Sequence, residues 1–335
     1  MDDAVDRGCA PAGRDPRRPG RRPAPAGCSD VAGEPLPGTA KRARLLLALE
    51  HTRGWGRDIL DGDALGPGLT ARIRDWLGER DAELQFIRRP GRAGQDDSAG
   101  RRLYIAHCPP DQPGGARLER LIVAGPEQLP GLDIRLGRAT PGAHRVGQPL
   151  LLVCTHGKRD RCCAVKGRPM ARALHNVHGD RVWETSHAKG HRFAPTMLLL
   201  PWNYSYGRMS VAEADAMLRA AAEHRLDRTG CRGRGLWGPR GQVAELAARE
   251  AAGAWGLDDV LTVNESPAAP VVRLRSGRRY AVPLEEVATP GVLGSCGDAP
   301  AVQRGWAAAG ARPLPAIGAS PAGPADCPGS GRPAR

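Results

Sequence analysis

Apolar residues in this chain come in short runs separated by polar, glycine-bearing loops, and their spacing predicts the elements. Leu45, Leu46, Leu47 and Leu49 fall within 42–50 and predict a helix with one apolar side, with Thr39 placed as its N-cap. Leu69, Ile73, Trp76 and Leu77 predict a second helix over 69–80. Strands are expected at 84–88, 102–107 and 121–123, followed by a glycine-rich connector at 137–148. Beyond the connector the order is strand 150–154, loop, helix 164–178, strand 181–185, loop, strands 196–201 and 204–209, then a helix at 211–224. Val211, Ala214, Leu218 and Ala221 keep the helical period in that last segment. A loop at 230–235, a helix at 239–253 and short strands at 260–264, 270–275 and 279–283 follow.

This pattern reads as an α/β protein. An α/β module is expected at 34–148 and a β-α-β unit with a hairpin and a helix at 149–226, the element order of a thioredoxin-like fold with a right-handed crossover. A small extension of one helix and short strands is expected at 227–307. The segments 1–33 and 308–335 are Pro, Gly, Ala and Arg with almost no aliphatic content, and are expected to be disordered tails. No internal repeat is visible in the residues.

Composition narrows the partners. The 335 residues carry a net charge of +13, but the basic residues are spread along the chain rather than gathered in a block. With Tyr 4 and Phe 2 there is little material for stacking bases, so nucleic-acid binding is disfavoured and a basic surface that steers an acidic protein partner is preferred. No apolar run approaches the roughly 18–20 residues of a membrane span, and no secretory h-region opens the chain. Nine scattered cysteines then favour a reducing, cytoplasmic setting with thiols that are free or metal-bound. Cys9, Cys28 and Cys327 read as free surface thiols, Cys108 as structural, and Trp55 as a core anchor. Phe193, Trp202 and Tyr206 are expected to fill the core or shield the site.

The chemistry concentrates between Cys154 and His191. Cys154 closes one expected strand, Cys162 and Cys163 follow a glycine-containing loop, and His187 and His191 follow the next strand. Cys154, Cys163, His187 and His191 are the candidate ligands. The wide cysteine spacing differs from the C-x2–4-C knuckle of structural zinc and suits a larger centre. A [2Fe-2S] cluster can take two histidines among its four ligands. From the residues alone three readings stand: an iron–sulfur centre, zinc on the same ligands, and thiol redox chemistry at Cys162-Cys163, with Cys162 also an alternative to Cys163 as ligand. No persuasive carboxylate pair for glycoside hydrolysis and no glycine-rich nucleotide fingerprint is visible. An electron carrier is therefore expected rather than a complete enzyme.

The stretches Cys-Thr-His-Gly-Lys-Arg-Asp-Arg-Cys-Cys and His-Ala-Lys-Gly-His-Arg-Phe-Ala-Pro resemble the sucrase/ferredoxin-like family. Weaker matches at Gly38-Thr39-Ala40, Trp55–Asp58, Tyr206–Arg208, Arg232–Arg234 with Gln242, and Ser295–Gly297 extend the likeness over about 34–300. The resemblance implies a thioredoxin-like [2Fe-2S] ferredoxin, with the cluster on Cys154, Cys163, His187 and His191 and an unidentified redox partner, reductase or acceptor. Lys189 stands where the family loop commonly has glycine, and Ala164 where glycine often follows the second cysteine.

Overall fold

Leu45–Glu50 form a strand, β1, and not the expected helix. All six residues are buried, so both faces of the segment need partners. A helix with one apolar stripe would leave half of these leucines in water, whereas an interior strand buries every one. Thr39 accordingly caps no helix; its hydroxyl donates to the Leu36 carbonyl at 2.6 Å. The computed structural model describes residues 26–315 apart from 32, 97–99, 111 and 113, so Cys9 and Cys327 lie outside the described residues.

After β1 come α1 (Pro67–Gly78), β2 (Ala82–Arg88), β3 (Arg101–His107), β4 (Arg117–Val123) and β5 (His144–Val146), the last within the expected connector. The second half supplies β6 (Leu150–Cys154), α2 (Arg161–His178), β7 (Val182–Thr185), β8 (Thr196–Leu200), β9 (Tyr204–Gly207) and α3 (Val211–Ala222), close to expectation. The expected loop at 230–235 is instead an edge strand, β10 (Cys231–Arg234), paired with β9. These strands form one ten-stranded mixed sheet in the order β10-β9-β8-β6-β7-β2-β1-β3-β4-β5.

The sheet contains a repeat that the residues did not show. In β1-α1-β2-β3-β4 the parallel pair β1–β2 is extended by antiparallel β3 and β4; in β6-α2-β7-β8-β9 the parallel pair β6–β7 is extended by antiparallel β8 and β9. The two units meet through equivalent strands, β2 and β7, antiparallel over Ile87↔Thr185 and Arg88↔Glu184. Leu46 and Ala48 of β1 share a core with Leu150, Leu152, Leu198 and Leu200 of the second unit, which requires the sheet to curve around them. Trp55 fills the α1 side of the first unit, and Trp202 and Tyr206 the α3 side of the second, in line with their expected core roles.

Beyond the sheet lie α4 (Pro239–Ala252), β11 (Val260–Asn264), β12 (Val271–Leu274), β13 (Arg279–Ala281), β14 (Leu284–Leu293), β15 (Pro300–Ala308) and β16 (Arg312–Leu314). β16 completes a four-stranded sheet with β11, β12 and β13, so order continues into the segment expected as a tail. The long β14–β15 hairpin returns its turn to the Cys/His region. At the other end, Cys28–Asp30 form a 3-10 turn with Cys28 buried, where disorder was expected to residue 33. Among the described residues no helix is long and apolar enough to cross a membrane.

Candidate metal centre

Cys154 is the last residue of β6, and six residues, 155–160, separate it from the start of α2. Asp160 caps α2, its carboxylate accepting from the Cys162 backbone N–H at 2.8 Å. This short connection sets Cys163 in the first turn of α2, over the end of β6. One ligand atom from each of Cys154, Cys163 and His187 lies within 4.8 Å of the others. Cys163 therefore joins Cys154; Cys162, the alternative, faces a different group of side chains. Both cysteines of the pair are buried.

The histidine loop is held from several sides. The Ser186 N–H donates to the Phe86 carbonyl at 2.8 Å, and the Phe86 N–H donates to the Ser186 hydroxyl at 3.0 Å. The His187 N–H donates to His156 Nδ1 at 3.1 Å, while His156 Nε2 faces the Gly56 carbonyl at 3.0 Å. Those two contacts put the His156 proton on Nε2, since a carbonyl accepts and an N–H donates. Lys189 (φ 56°) and Gly190 (φ 76°) then make two consecutive left-handed residues. A Cβ on Gly190 would collide with the Arg232 guanidinium. That guanidinium is buried, donates to the Lys189 carbonyl at 3.1 Å and to the Thr39 hydroxyl at 3.0 Å, and sits 4.9 Å from the Phe193 ring. Burial lowers its pKa to about 9. Phe193 is fully buried, with the guanidiniums of Arg192 and Arg208 also over its ring.

His191 stands beside this trio, outside the mutually close group, with its ring centroid 5.2 Å from that of His187. His191 Nε2 lies 2.6 Å from the Gly294 carbonyl and 2.8 Å from the Ser295 hydroxyl, both in the β14–β15 turn. The carbonyl requires a proton on Nε2, which leaves Nδ1 as a bare lone pair. Nδ1 of His191 and Nδ1 of His187 are both buried without a hydrogen-bond partner among the described residues. An orphaned acceptor such as His191 Nδ1 costs on the order of 1–3 kcal/mol unless something else takes the lone pair. A Lewis acid would take it.

The electrostatics agree with a ligand set. A hydrogen bond from Cys163 and the adjacent His187 hold the Cys154 thiol well below its usual range, while the same contact and burial push Cys163 up. Without a cation the pair thus shares one proton. Burial also pulls His156 and His191 down, keeping the imidazoles neutral and able to donate lone pairs.

His156, Arg232, Gly294 and Ser295 hold this site without having been singled out as site residues. His156, Arg232 and Ser295 do lie in segments that carried the family likeness. Cys28, expected at the surface, is buried, and it lies with Asp160, Cys162 and Cys296 in a second close group.

A mixed α/β sheet with a Cys/His group able to hold a metal defines the class of this protein. Its residues 36–233, more than half of the chain, match the family model described as Sucrase/ferredoxin-like, and the chain belongs to that family. No curated protein and no solved structure matches it.

Proposed function

We propose that this protein is a one-electron carrier whose [2Fe-2S] cluster is held by Cys154, Cys163, His187 and His191. The observation that carries the reading is the pair of buried, unpartnered Nδ1 atoms beside a buried thiol pair. The fold reading is thioredoxin-like: in β6-α2-β7-β8-β9-α3 the sheet order β9-β8-β6-β7, with β6 and β7 parallel, is the arrangement such a unit requires. When bound, the cluster supplies one-electron redox chemistry, at a potential above that of an all-cysteine centre because two neutral imidazoles replace two thiolates.

The residues divide the remaining work. Cys154 and Cys163 supply the negative ligands from a rigid strand end and helix start. His187 and His191 supply neutral ones, with His191 fixed by Gly294 and Ser295. His187 is half-buried and borders a cleft of about 410 Å³ that Lys41, Asp58 and Lys189 also line. This is the edge where an electron would cross to a partner protein, reductase or acceptor, and the net charge of +13 favours an acidic one. A cytoplasmic setting agrees with seven unbridged cysteines among the described residues.

A single zinc ion is the second reading, favoured by ligand atoms of Cys154, Cys163 and His187 that all lie within 4.8 Å of one another. The vicinal pair Cys162-Cys163 is a weaker one, because its two sulfurs face different groups. Anaerobic purification with iron and sulfide quantified separates them. The carrier reading expects a brown protein with two irons and two sulfides per chain, and visible bands that change in His191→Ala. A colourless protein containing zinc alone overturns it.

A further inference from the structure

Three cysteines and one aspartate meet on the far side of α2's first turn. Cys28 comes from the N-terminal segment, Asp160 and Cys162 from the start of α2, and Cys296 from the β14–β15 turn. Their ligand atoms all lie within 4.8 Å of one another. Cys162 Sγ is 3.3 Å from Cys296 Sγ, and Cys296 Sγ is 3.7 Å from Cys28 Sγ. Asp160 Oδ1 is 3.2 Å from Cys296 Sγ and 3.6 Å from Cys28 Sγ. A tetrahedral ion with bonds of about 2.0–2.3 Å has ligand–ligand edges of roughly 3.3–3.8 Å. These four separations fall in or within about 0.1 Å of that range.

Backbone donors and a helix end face these atoms. The Cys28 N–H points at Cys296 Sγ at 3.5 Å, and the Cys296 N–H donates to Asp160 Oδ2 at 2.8 Å. The N-terminus of the 18-residue helix α2 faces the group with its positive end. Lys166 ties the Cys28–Asp30 turn to α2 by its ion pair with Asp30 at 2.7 Å and its hydrogen bond to the Ser29 carbonyl at 3.2 Å. A Cβ on Gly27 would collide with Cys162 Sγ, so the backbone passes this close to the sulfur only as glycine. Sulfurs 3.3 Å apart are not bonded, since a disulfide is about 2.05 Å.

We propose that Cys28, Cys162, Cys296 and Asp160 form a second metal site, for a zinc-class divalent ion. Three thiolates and a carboxylate from three distant segments make a closed tetrahedral set, the form of a structural zinc site rather than a catalytic one. The ion clamps the N-terminal segment and the β14–β15 turn onto α2. That same turn places Gly294 and Ser295 against His191. The site needs nothing from the neighbouring iron–sulfur reading and stands if that reading fails.

The test uses the full chain with Cys154→Ser and Cys163→Ser, so that the first site has no thiolates, titrated with Co2+ and then Zn2+ under anaerobic, reducing conditions. One cobalt per chain is expected, with intense tetrahedral bands and thiolate charge transfer, displaced by one zinc. Adding Cys296→Ser should weaken zinc binding by more than the ~10–100-fold that loss of an outer partner costs. A pale octahedral spectrum, or an affinity unchanged by Cys296→Ser, overturns the proposal. Where a variant fails to fold, the wild-type chain decides. Native mass spectrometry should show bound zinc, and thiol mapping of the folded chain should find Cys28, Cys162 and Cys296 protected from alkylation until a chelator removes it. A Cys162–Cys296 disulfide in a zinc-free protein sinks it.

Discussion

The two units of the sheet have the same strand order and different chemistry, and the difference lies in their loops. In the second unit six residues join β6 to α2, which brings Cys163 back over Cys154. In the first unit β1 and α1 are separated by residues 51–66, a length that packs Trp55 and Ile59 into the core and places no thiol at the strand end. The first unit instead braces the second. The Gly56 carbonyl accepts a hydrogen bond from His156 Nε2–H, and Phe86 of β2 pins Ser186 beside the histidine loop. One topology thus serves once as scaffold and once as site. An orphaned histidine nitrogen does not by itself mark the site either: His107 Nδ1 in β3 is equally buried and unpartnered, but stands against Glu119 with no thiol pair beside it.

Substituting the residues that close the matched strands β6 and β1 would break this comparison most directly. Cys154→Ser should abolish the visible chromophore of anaerobically purified protein. Glu50→Gln, at the end of β1, should leave it intact, because Glu50 pairs with Arg102 at 3.0 Å and lies three strands away from β6 in the sheet. Equal loss in both variants would mean that the chromophore reports folding and not ligation. Two glycines of one left-handed conformation give a finer contrast. Gly190 (φ 76°, ψ 43°) and Gly253, the C-cap of α4 (φ 64°, ψ 29°), share that backbone geometry, but a Cβ meets Arg232 and Phe193 at the former and nothing within 4 Å at the latter. Gly253→Ala should cost about 1–2 kcal/mol of backbone strain alone. Gly190→Ala should cost about 1–3 kcal/mol more from overpacking and lower cluster occupancy. Equal shifts in both melting curves would show that the Arg232 contact does not hold the loop.

The second unit was the more legible in sequence, and the reason is physical. Its strands 150–154 and 196–200 are short apolar runs between turn residues, and its helices keep a clean period. The leucines at 45–49 misled because a fully buried strand and a helix flank both present dense leucine, and only the partner strands tell them apart. Cys231–Arg234 read as a loop because its glycine and arginines resemble surface residues, yet both arginines are buried. The ligand candidates stood at strand ends and were visible as such. Cys28 was lost among Pro and Gly, since its burial depends on a turn more than 260 residues away. The repeat was invisible because the two units share strand order and not residues.

Acid stability separates the units next. Burial first, and the Arg117 charge after it, lower the His107 pKa to about 4 from an unfolded 6.5. A folded pKa depressed in this way keeps His107 neutral in the native state while the unfolded chain takes up a proton below about pH 6.5. Stability should therefore fall between pH 6.5 and 4, by up to about 3 kcal/mol from this residue. In His107→Gln that limb should flatten in denaturant titrations read at stepped pH, without moving the visible spectrum. A limb that keeps its full depth would assign the acid sensitivity to groups other than His107.

The smallest effect concerns Lys189. Its φ of 56° gives a reason for glycine being common at this place in the family loop, and a lysine here adds strain along with charge. It lines the same cleft as His187, so its cation favours an added electron at the site. Lys189→Glu removes that cation and adds an anion, which should lower the reduction potential. The shift should be on the order of tens of millivolts, because the side chain is exposed and salt screens it. The same reversal at Arg92, in the loop after β2, should leave the potential where it was. A redox titration in which both variants shift alike would show that net charge, and not the placement of Lys189 beside the histidine loop, sets the effect; a rise in Lys189→Glu would remove the residue from the neighbourhood of the centre.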